Sequence, residues 1–104
     1  MSQDSILDRF RESNALLTGH FKLTSGRHSD VYYEKFALLK QPVICTTICK
    51  RMADHFESSQ VDTVVGPTTG GIIIAYDVAR YLKVESIYAE PGPSGREFKR
   101  GFTL

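Results

Sequence analysis

Residues 61–82, VDTVVGPTTGGIIIAYDVARYL, constrain the fold more than any other part of the chain. The segment opens with a short apolar run, Val61–Val65, which predicts a buried strand. It closes with an apolar run, Ile72–Leu82, which is too long for a strand and predicts a helix. A strand, a tight Gly-rich turn and a helix in this order are typical of an α/β fold.

The turn between these two elements is a candidate anion site. Free N–H groups in the first turn of a helix and the positive end of its dipole both favour a bound phosphate. Glycine allows close backbone approach because it has no Cβ, and two threonines add hydroxyl donors. The turn matches neither GxGxxG nor the Walker A pattern, and ordinary strand–helix turns are also rich in Gly and Pro. Two interpretations therefore stay open, a phosphate loop or a plain connection, for Thr68, Thr69, Gly70 and Gly71.

A second strand is predicted over Val84–Ala89, directly after the helix. Strand, helix and strand joined by short links predict a right-handed unit with a parallel sheet. In such sheets ligands collect at the carboxyl ends of the strands, where residues 66–71 and Glu90 fall. The fold class predicted from the sequence is thus α/β, with a parallel sheet flanked by helices.

The first 60 residues predict two helices with a pair of strands between them. Ser5–Leu17 predicts a helix that is capped by Ser5 and stopped by Gly19. Residues 20–24 and 30–36 predict two short strands around a polar bend. Pro42–Ser58 predicts a packing helix, and no chemistry is assigned to it.

The polar bend is dense in hydrogen-bond donors, notably Thr24, Ser25 and Arg27. An Arg side chain suits bidentate binding of a carboxylate or phosphate, and Tyr32 and Tyr33 can stack on a planar ring. The alternative is a solvated turn beside two half-buried tyrosines. Two nearby histidines are not assigned as a metal pair, since no acidic or Cys cluster accompanies them.

The last feature, Glu90–Gly101, is rich in Pro and Gly and then basic. One interpretation is a solvated hairpin. The other is a mobile flap that brings Lys99 and Arg100 over an anionic substrate.

Composition limits the class of protein. A chain of 104 residues that is 41% hydrophobic and 24% charged, with net charge +1, predicts one soluble domain and no nucleic-acid or membrane-surface partner. No apolar run approaches the roughly 20 residues that cross a bilayer, and the N-terminus lacks a secretory signal. Cys45 and Cys49 fit small buried side chains better than metal ligands, so a cytoplasmic location is expected. The helix over 72–82 is apolar around most of its surface, which hints at an oligomer.

Four segments, in order, resemble the N-terminal part of an orotate phosphoribosyltransferase. They are GHFKLTSGRHSDVYYEK, VDTVVGPTTGGIIIAYDVARYLKV, IYAE and FKRGF, at residues 19–35, 61–84, 87–90 and 98–102. Together they span nearly all of the chain.

The resemblance implies a type I phosphoribosyltransferase fold in a single domain. Residues 1–40 would form a small N-terminal hood, and residues 41–104 would begin the α/β core and the flap. It further implies transfer of ribose 5-phosphate from phosphoribosyl pyrophosphate (PRPP) to orotate, with magnesium as cofactor and a homodimer as the working form.

The resemblance also implies roles for individual residues. The hood side of the orotate pocket would consist of Thr24, Ser25, Gly26 and Arg27, with Tyr32 and Tyr33 flanking the flat ring. The pyrophosphate would be held by Thr68, Thr69, Gly70 and Gly71. The catalytic residues on the flap would be Lys99 and Arg100, and no residue of the chain is assigned as a metal ligand.

The chain departs from the family pattern at several positions. Many members have Lys in place of Thr24 and an aromatic–Lys pair in place of Thr69-Gly70, and a basic residue usually stands where Pro91 does. The family's later strand, with two adjacent acids and a Thr–Gly loop for the ribose phosphate, does not occur before Leu104. We therefore expect a truncated chain with an incomplete core, inactive alone. The alternatives are a non-catalytic nucleotide-binding or regulatory domain on the same scaffold, and a purine phosphoribosyltransferase.

Overall fold

The computed structural model describes residues 3–104, which form four helices and five strands. In chain order these are α1 Gln3–Glu12, β1 Leu16–Lys22, β2 His28–Tyr33, α2 Lys35–Leu39, α3 Pro42–Phe56, β3 Thr63–Pro67, α4 Gly70–Leu82, β4 Glu85–Gly92 and β5 Gly95–Glu97. The chain divides into two compact units, Met1–Cys45 and Thr46–Leu104. The single-domain organisation stays a prediction.

In the first unit, β1 and β2 form an antiparallel hairpin. The register pairs Leu16 with Tyr33 and Lys22 with His28, and it shifts between Thr18 and Phe21. The predicted pair of strands around a polar bend is thus confirmed, although β1 begins four residues earlier than expected.

The predicted end of the first helix is wrong. α1 ends at Glu12, because Asn14 takes a left-handed conformation (φ 62°), which Asn tolerates better than most residues. The buried Ser13 hydroxyl donates a hydrogen bond to the Phe10 carbonyl at 3.0 Å. Ser5 lies inside the helix, so the prediction that it caps the start is also wrong.

The short helix α2 was not predicted, since the segment up to Phe36 resembles a strand. The Glu34 carboxylate accepts a hydrogen bond from the Phe36 N–H at 3.2 Å and so caps the helix. Leu38 and Leu39 are then buried on one side of it. Local capping and burial outweigh the β propensity of the preceding tyrosines.

The second unit is built on the predicted strand–helix–strand motif. β3 and β4 are parallel, with Val65 opposite Ile87, and α4 connects them. β5 adds an antiparallel strand that pairs Glu90 with Glu97, so the sheet order is β3-β4-β5. The buried side chains of this unit are Cys49, Ala53, Ala75, Val78, Ala79 and Ile87.

The free edge of β3 borders an apolar groove. Within residues 3–104 no strand pairs with β3 on the side away from β4. A groove of about 290 Å³ lies along the strand, and its lining includes Met52, Phe56 and Val65. None of the described helices is both long and apolar enough to pass through a lipid bilayer.

Candidate functional site

The turn from β3 into α4 is packed so closely that two of its positions have no room for a side chain. A Cβ on Gly66 would lie against the Gly71 carbonyl oxygen, 2.6 Å from the carbonyl carbon and 2.9 Å from Ala75 Cβ. A Cβ on Gly71 would lie 2.9 Å from Pro67 Cγ. Real Cβ atoms do not approach so closely, so glycine is required at both positions.

The residues between these glycines present polar backbone groups at the start of α4. The Thr68 N–H donates to the Ala89 carbonyl at 3.0 Å, which ties the loop to β4, and the peptide bond between Thr68 and Thr69 is cis. The exposed Thr69 occupies the N-cap position but makes no side-chain capping hydrogen bond. The first-turn amides of α4, at the buried Gly70 and the half-buried Gly71, are therefore not capped by the Thr69 side chain, and the start of a helix favours an anion.

Arg96, which the sequence analysis did not single out, contacts this loop. Its Nη1 donates to Thr68 Oγ1 at 2.5 Å and to the Ala89 carbonyl at 3.3 Å. The signal in the sequence is indirect: the Pro- and Gly-rich turn after Glu90 predicts a hairpin, and that hairpin pairs Arg96 with Pro91 at the end of β4.

Lys99 and Arg100 follow β5 and make contacts within the same hairpin. Lys99 Nζ donates to the Pro91 carbonyl at 3.1 Å. Arg100 Nε lies 3.4 Å from Glu90 Oε2, an ion pair without hydrogen-bond geometry, and that buried oxygen has no hydrogen-bond partner. Both cations are exposed, and neither has a hydrogen bond to residues 68–71 in the part of the chain described.

The polar bend of the first unit is a tight turn with an exposed Arg. The Leu23 N–H donates to the Arg27 carbonyl at 2.7 Å, and the Gly26 N–H donates back to the Leu23 carbonyl at 2.9 Å. Gly26 has φ +88°, which glycine adopts readily. Thr24, Ser25 and Arg27 are exposed. The Arg27 guanidinium has no hydrogen bond or ion pair among residues 3–104 and so remains free to bind an anion.

Tyr32 and Tyr33 do not lie on the same side of the hairpin. Successive residues of a strand point to opposite faces. Tyr33 packs edge-on against Phe10 with ring centroids 5.5 Å apart, whereas Tyr32 packs against Phe21 at 5.6 Å. The structure thus does not bring the two rings together around a single planar ligand.

No group of three or more His, Cys, Asp and Glu side chains that could hold a metal ion occurs within the described residues. His20 and His28 are close across the hairpin, with Nε2 and Nδ1 2.6 Å apart, but they form a pair only. Cys45 and Cys49 are buried and are not joined in a disulfide.

Solved structures of other proteins share the fold of this chain. Aeropyrum pernix orotate phosphoribosyltransferase matches with a TM-score of 0.70 at 24% identity, over 94% of this chain and 54% of that one. Leishmania donovani UMP synthase matches with a TM-score of 0.76 at 20% identity, over 97% of this chain and 23% of that one. The chain has the α/β fold of the phosphoribosyltransferases, and the predicted fold class is confirmed.

Curated relatives match the chain over its full length, although no family model matches it. Proteins named orotate phosphoribosyltransferase are 39% identical in Desulforamulus reducens, 42% in Chlorobium phaeobacteroides (strain DSM 266) and 44% in Caulobacter vibrioides (strain NA1000), each over 100% of this chain. The chain covers 54%, 54% and 55% of these proteins, respectively, so it spans about half the length of the curated relatives it matches. Over its whole length the chain is homologous to orotate phosphoribosyltransferases, consistent with the predicted N-terminal part.

Proposed function

We propose that the chain is part of an orotate phosphoribosyltransferase of UMP biosynthesis. The reaction transfers ribose 5-phosphate from PRPP to orotate and releases orotidine 5′-phosphate and pyrophosphate. The principal structural support is the loop of residues 68–71, which leads into the start of α4, where Thr69 makes no side-chain capping hydrogen bond. Relatives of that name, 39–44% identical over the full chain, point to the same activity.

The loop suits the leaving group of this reaction. Displacement at the ribose carbon passes through a cationic, oxocarbenium-like state while negative charge grows on the departing pyrophosphate. Fixed N–H dipoles directed at that growing charge lower the barrier without having to reorganise. We assign this role to the amides of Gly70 and Gly71 and to the hydroxyls of Thr68 and Thr69.

Orotate binding is assigned to the turn of the first unit. Arg27 has no competing partner among the described residues, and a guanidinium binds a carboxylate with two parallel hydrogen bonds. Orotate has a carboxylate and purine bases do not, so this Arg favours the acidic pyrimidine. Thr24, Ser25 and Gly26 present the turn, and either Tyr32 or Tyr33 supplies a ring for stacking.

The hairpin that contains Lys99 and Arg100 is assigned as the flap. To act on substrate, Lys99 breaks its hydrogen bond to the Pro91 carbonyl and Arg100 breaks its ion pair with Glu90, and both then contact the substrate instead. A flap that closes over the site also excludes water from the reactive ribose carbon.

Magnesium, a homodimer and a cytoplasmic location complete the proposal. As the family resemblance implies, we expect magnesium to arrive bound to PRPP rather than at a site on this chain. Exposed apolar side chains on α4, Ile73 at 44% and Tyr76 at 69%, support a subunit interface.

The test is an orotate-consumption assay with PRPP and magnesium. We expect no turnover by residues 1–104 alone, and turnover when they are joined to the remaining half of the Caulobacter vibrioides relative. Absence of orotidine 5′-phosphate formation by the correctly folded fusion would contradict the proposal. Binding of orotidine 5′-phosphate without turnover would favour the non-catalytic alternative, and turnover of a purine base instead would favour the purine enzyme.

A further inference from the structure

Arg96 joins three parts of the second unit at the proposed pyrophosphate loop. It extends from β5, where the register sets it opposite Pro91. Its Nη1 bonds to the Thr68 hydroxyl after β3 and to the Ala89 carbonyl in β4. The same carbonyl accepts the Thr68 N–H, so Arg96 and Thr68 share one acceptor.

These contacts use only part of the guanidinium. Arg has five N–H donors in a planar fork. Both hydrogen bonds of Arg96 start from Nη1, and within the described part of the chain Nε and Nη2 make none. The side chain is exposed, so this edge of the fork is open to a ligand.

The other cations of the hairpin are engaged elsewhere. Lys99 bonds to the Pro91 carbonyl, and Arg100 pairs with Glu90. Pro91 itself follows the acid at the end of the predicted strand and brings no charge. Arg96 is therefore the hairpin cation that is already fixed against Thr68 before any ligand arrives.

We propose that Arg96 is a binding residue of the pyrophosphate site. Nη1 holds the side chain on the loop, while the Nε and Nη2 edge binds phosphate oxygens beside the amides of residues 70–71. A planar fork matches two phosphate oxygens better than the point charge of Lys does. The identity of the ligand as pyrophosphate rests on the proposed function.

Calorimetric titration of the full chain with pyrophosphate tests this role. Arg96→Gln removes the charge and the fork, and we expect affinity to fall about 10- to 100-fold, the loss typical of hydrogen bonds to charged groups. Arg96→Lys keeps the charge without the fork, and its pyrophosphate affinity is expected to lie between those of the unchanged chain and Arg96→Gln. Lys50→Gln is the control, because it removes one exposed cation from α3 that pairs with Asp54, and it should bind as the unchanged chain does at the same ionic strength.

A second set of measurements separates binding from a merely structural role. If Arg96 binds the ligand, Arg96→Gln loses affinity at a temperature where it is fully folded, and its melting temperature falls only by the amount expected for two exposed hydrogen bonds. The inference is overturned if Arg96→Gln binds pyrophosphate within about twofold of the unchanged chain, a difference below 0.5 kcal/mol on the same constant. It is also overturned if Lys50→Gln loses as much pyrophosphate affinity as Arg96→Gln does, or if the unchanged chain binds no pyrophosphate.

Failure of the proposed function gives a different result. In that case the fusion protein makes no orotidine 5′-phosphate, while pyrophosphate affinity still depends on Arg96.

Discussion

Gly66 and Gly71 lie in such close contact that the strand and the helix they belong to meet backbone to backbone. A methyl group on Gly66 would overlap the Gly71 carbonyl. Because β3 ends and α4 begins at this contact, the amides of residues 70–71 are held at the end of the parallel sheet. The contact therefore fixes the geometry of the proposed pyrophosphate loop, and the two glycines do not serve merely to make a flexible turn.

Gly66→Ala tests this contact through stability. Since the obstacle is backbone and cannot rotate away, we expect a loss of about 2–3 kcal/mol in the free energy of unfolding, at the upper end for overpacking. Gly101→Ala is the control, because a Cβ there meets nothing within 4 Å although φ is +74°. We expect Gly101→Ala to lower the free energy of unfolding by about 1 kcal/mol, from left-handed strain alone. Urea unfolding measures both, and equal losses would contradict the close-contact account.

Arg27→Ala separates binding from folding in the first unit. The guanidinium is exposed and has no partner among the described residues, so we expect no change in melting temperature. Orotate affinity should fall by about 10-fold or more, since a charged pair of hydrogen bonds is lost. Titration with orotate measures the affinity, and a thermal melt measures the stability. Parallel losses of stability and affinity would make Arg27 a structural residue.

The opposite orientations of Tyr32 and Tyr33 predict unequal effects on orotate binding. A single planar ligand stacks on one face of the hairpin, so only one of Tyr32→Leu and Tyr33→Leu should weaken orotate affinity strongly. Each variant also loses an aromatic contact, with Phe21 or Phe10, worth about 0.5–1.5 kcal/mol of stability. Affinity is therefore compared at a temperature where both variants are folded. Equal loss of affinity would mean that both rings reach the ligand.

Lys83→Gly is expected to stabilise the second unit. Lys83 ends α4 in a left-handed conformation (φ 59°, ψ 45°), which costs a side chain more than it costs glycine. We expect a net gain of about 0.5–1 kcal/mol, because the relief of about 1–2 kcal/mol of left-handed strain exceeds the entropic cost of about 0.5–1 kcal/mol that glycine brings. Lys40→Gly at the end of α2 is the matched control, because Lys40 is right-handed (φ −74°) and glycine there should give no gain. A gain in both variants, or in neither, would contradict this explanation.

The parts of the fold that the sequence predicts well are those with strong local patterns. The valine-rich strand, the isoleucine-rich helix and the glycines between them leave little choice but a parallel strand–helix–strand unit. The end of α1 could not be predicted, because it depends on two features that no local pattern shows. Asn14 adopts a left-handed conformation, and Leu16 and Leu17 pair with β2 in a hairpin.

The same distinction applies to the candidate site. Thr68–Gly71 and Arg27 stand out by composition, since their chemistry is visible in adjacent residues. Arg96 does not, because its role depends on a hairpin register that brings it to Thr68, 28 residues earlier in the chain. The orientations of Tyr32 and Tyr33 follow from strand alternation once the strand is known, but a family resemblance alone suggests a shared ring pocket.

The most direct test of the account is the amide spectrum of the pyrophosphate loop. In a ¹H–¹⁵N NMR titration of the chain with pyrophosphate, the Gly70 and Gly71 amide signals should shift in proportion to ligand bound, together with the Arg96 Nε–H signal. The amides of α3, such as that of Lys50, should stay in place. Pyrophosphate binding that shifts other residues and leaves Gly70 and Gly71 unchanged would contradict the account.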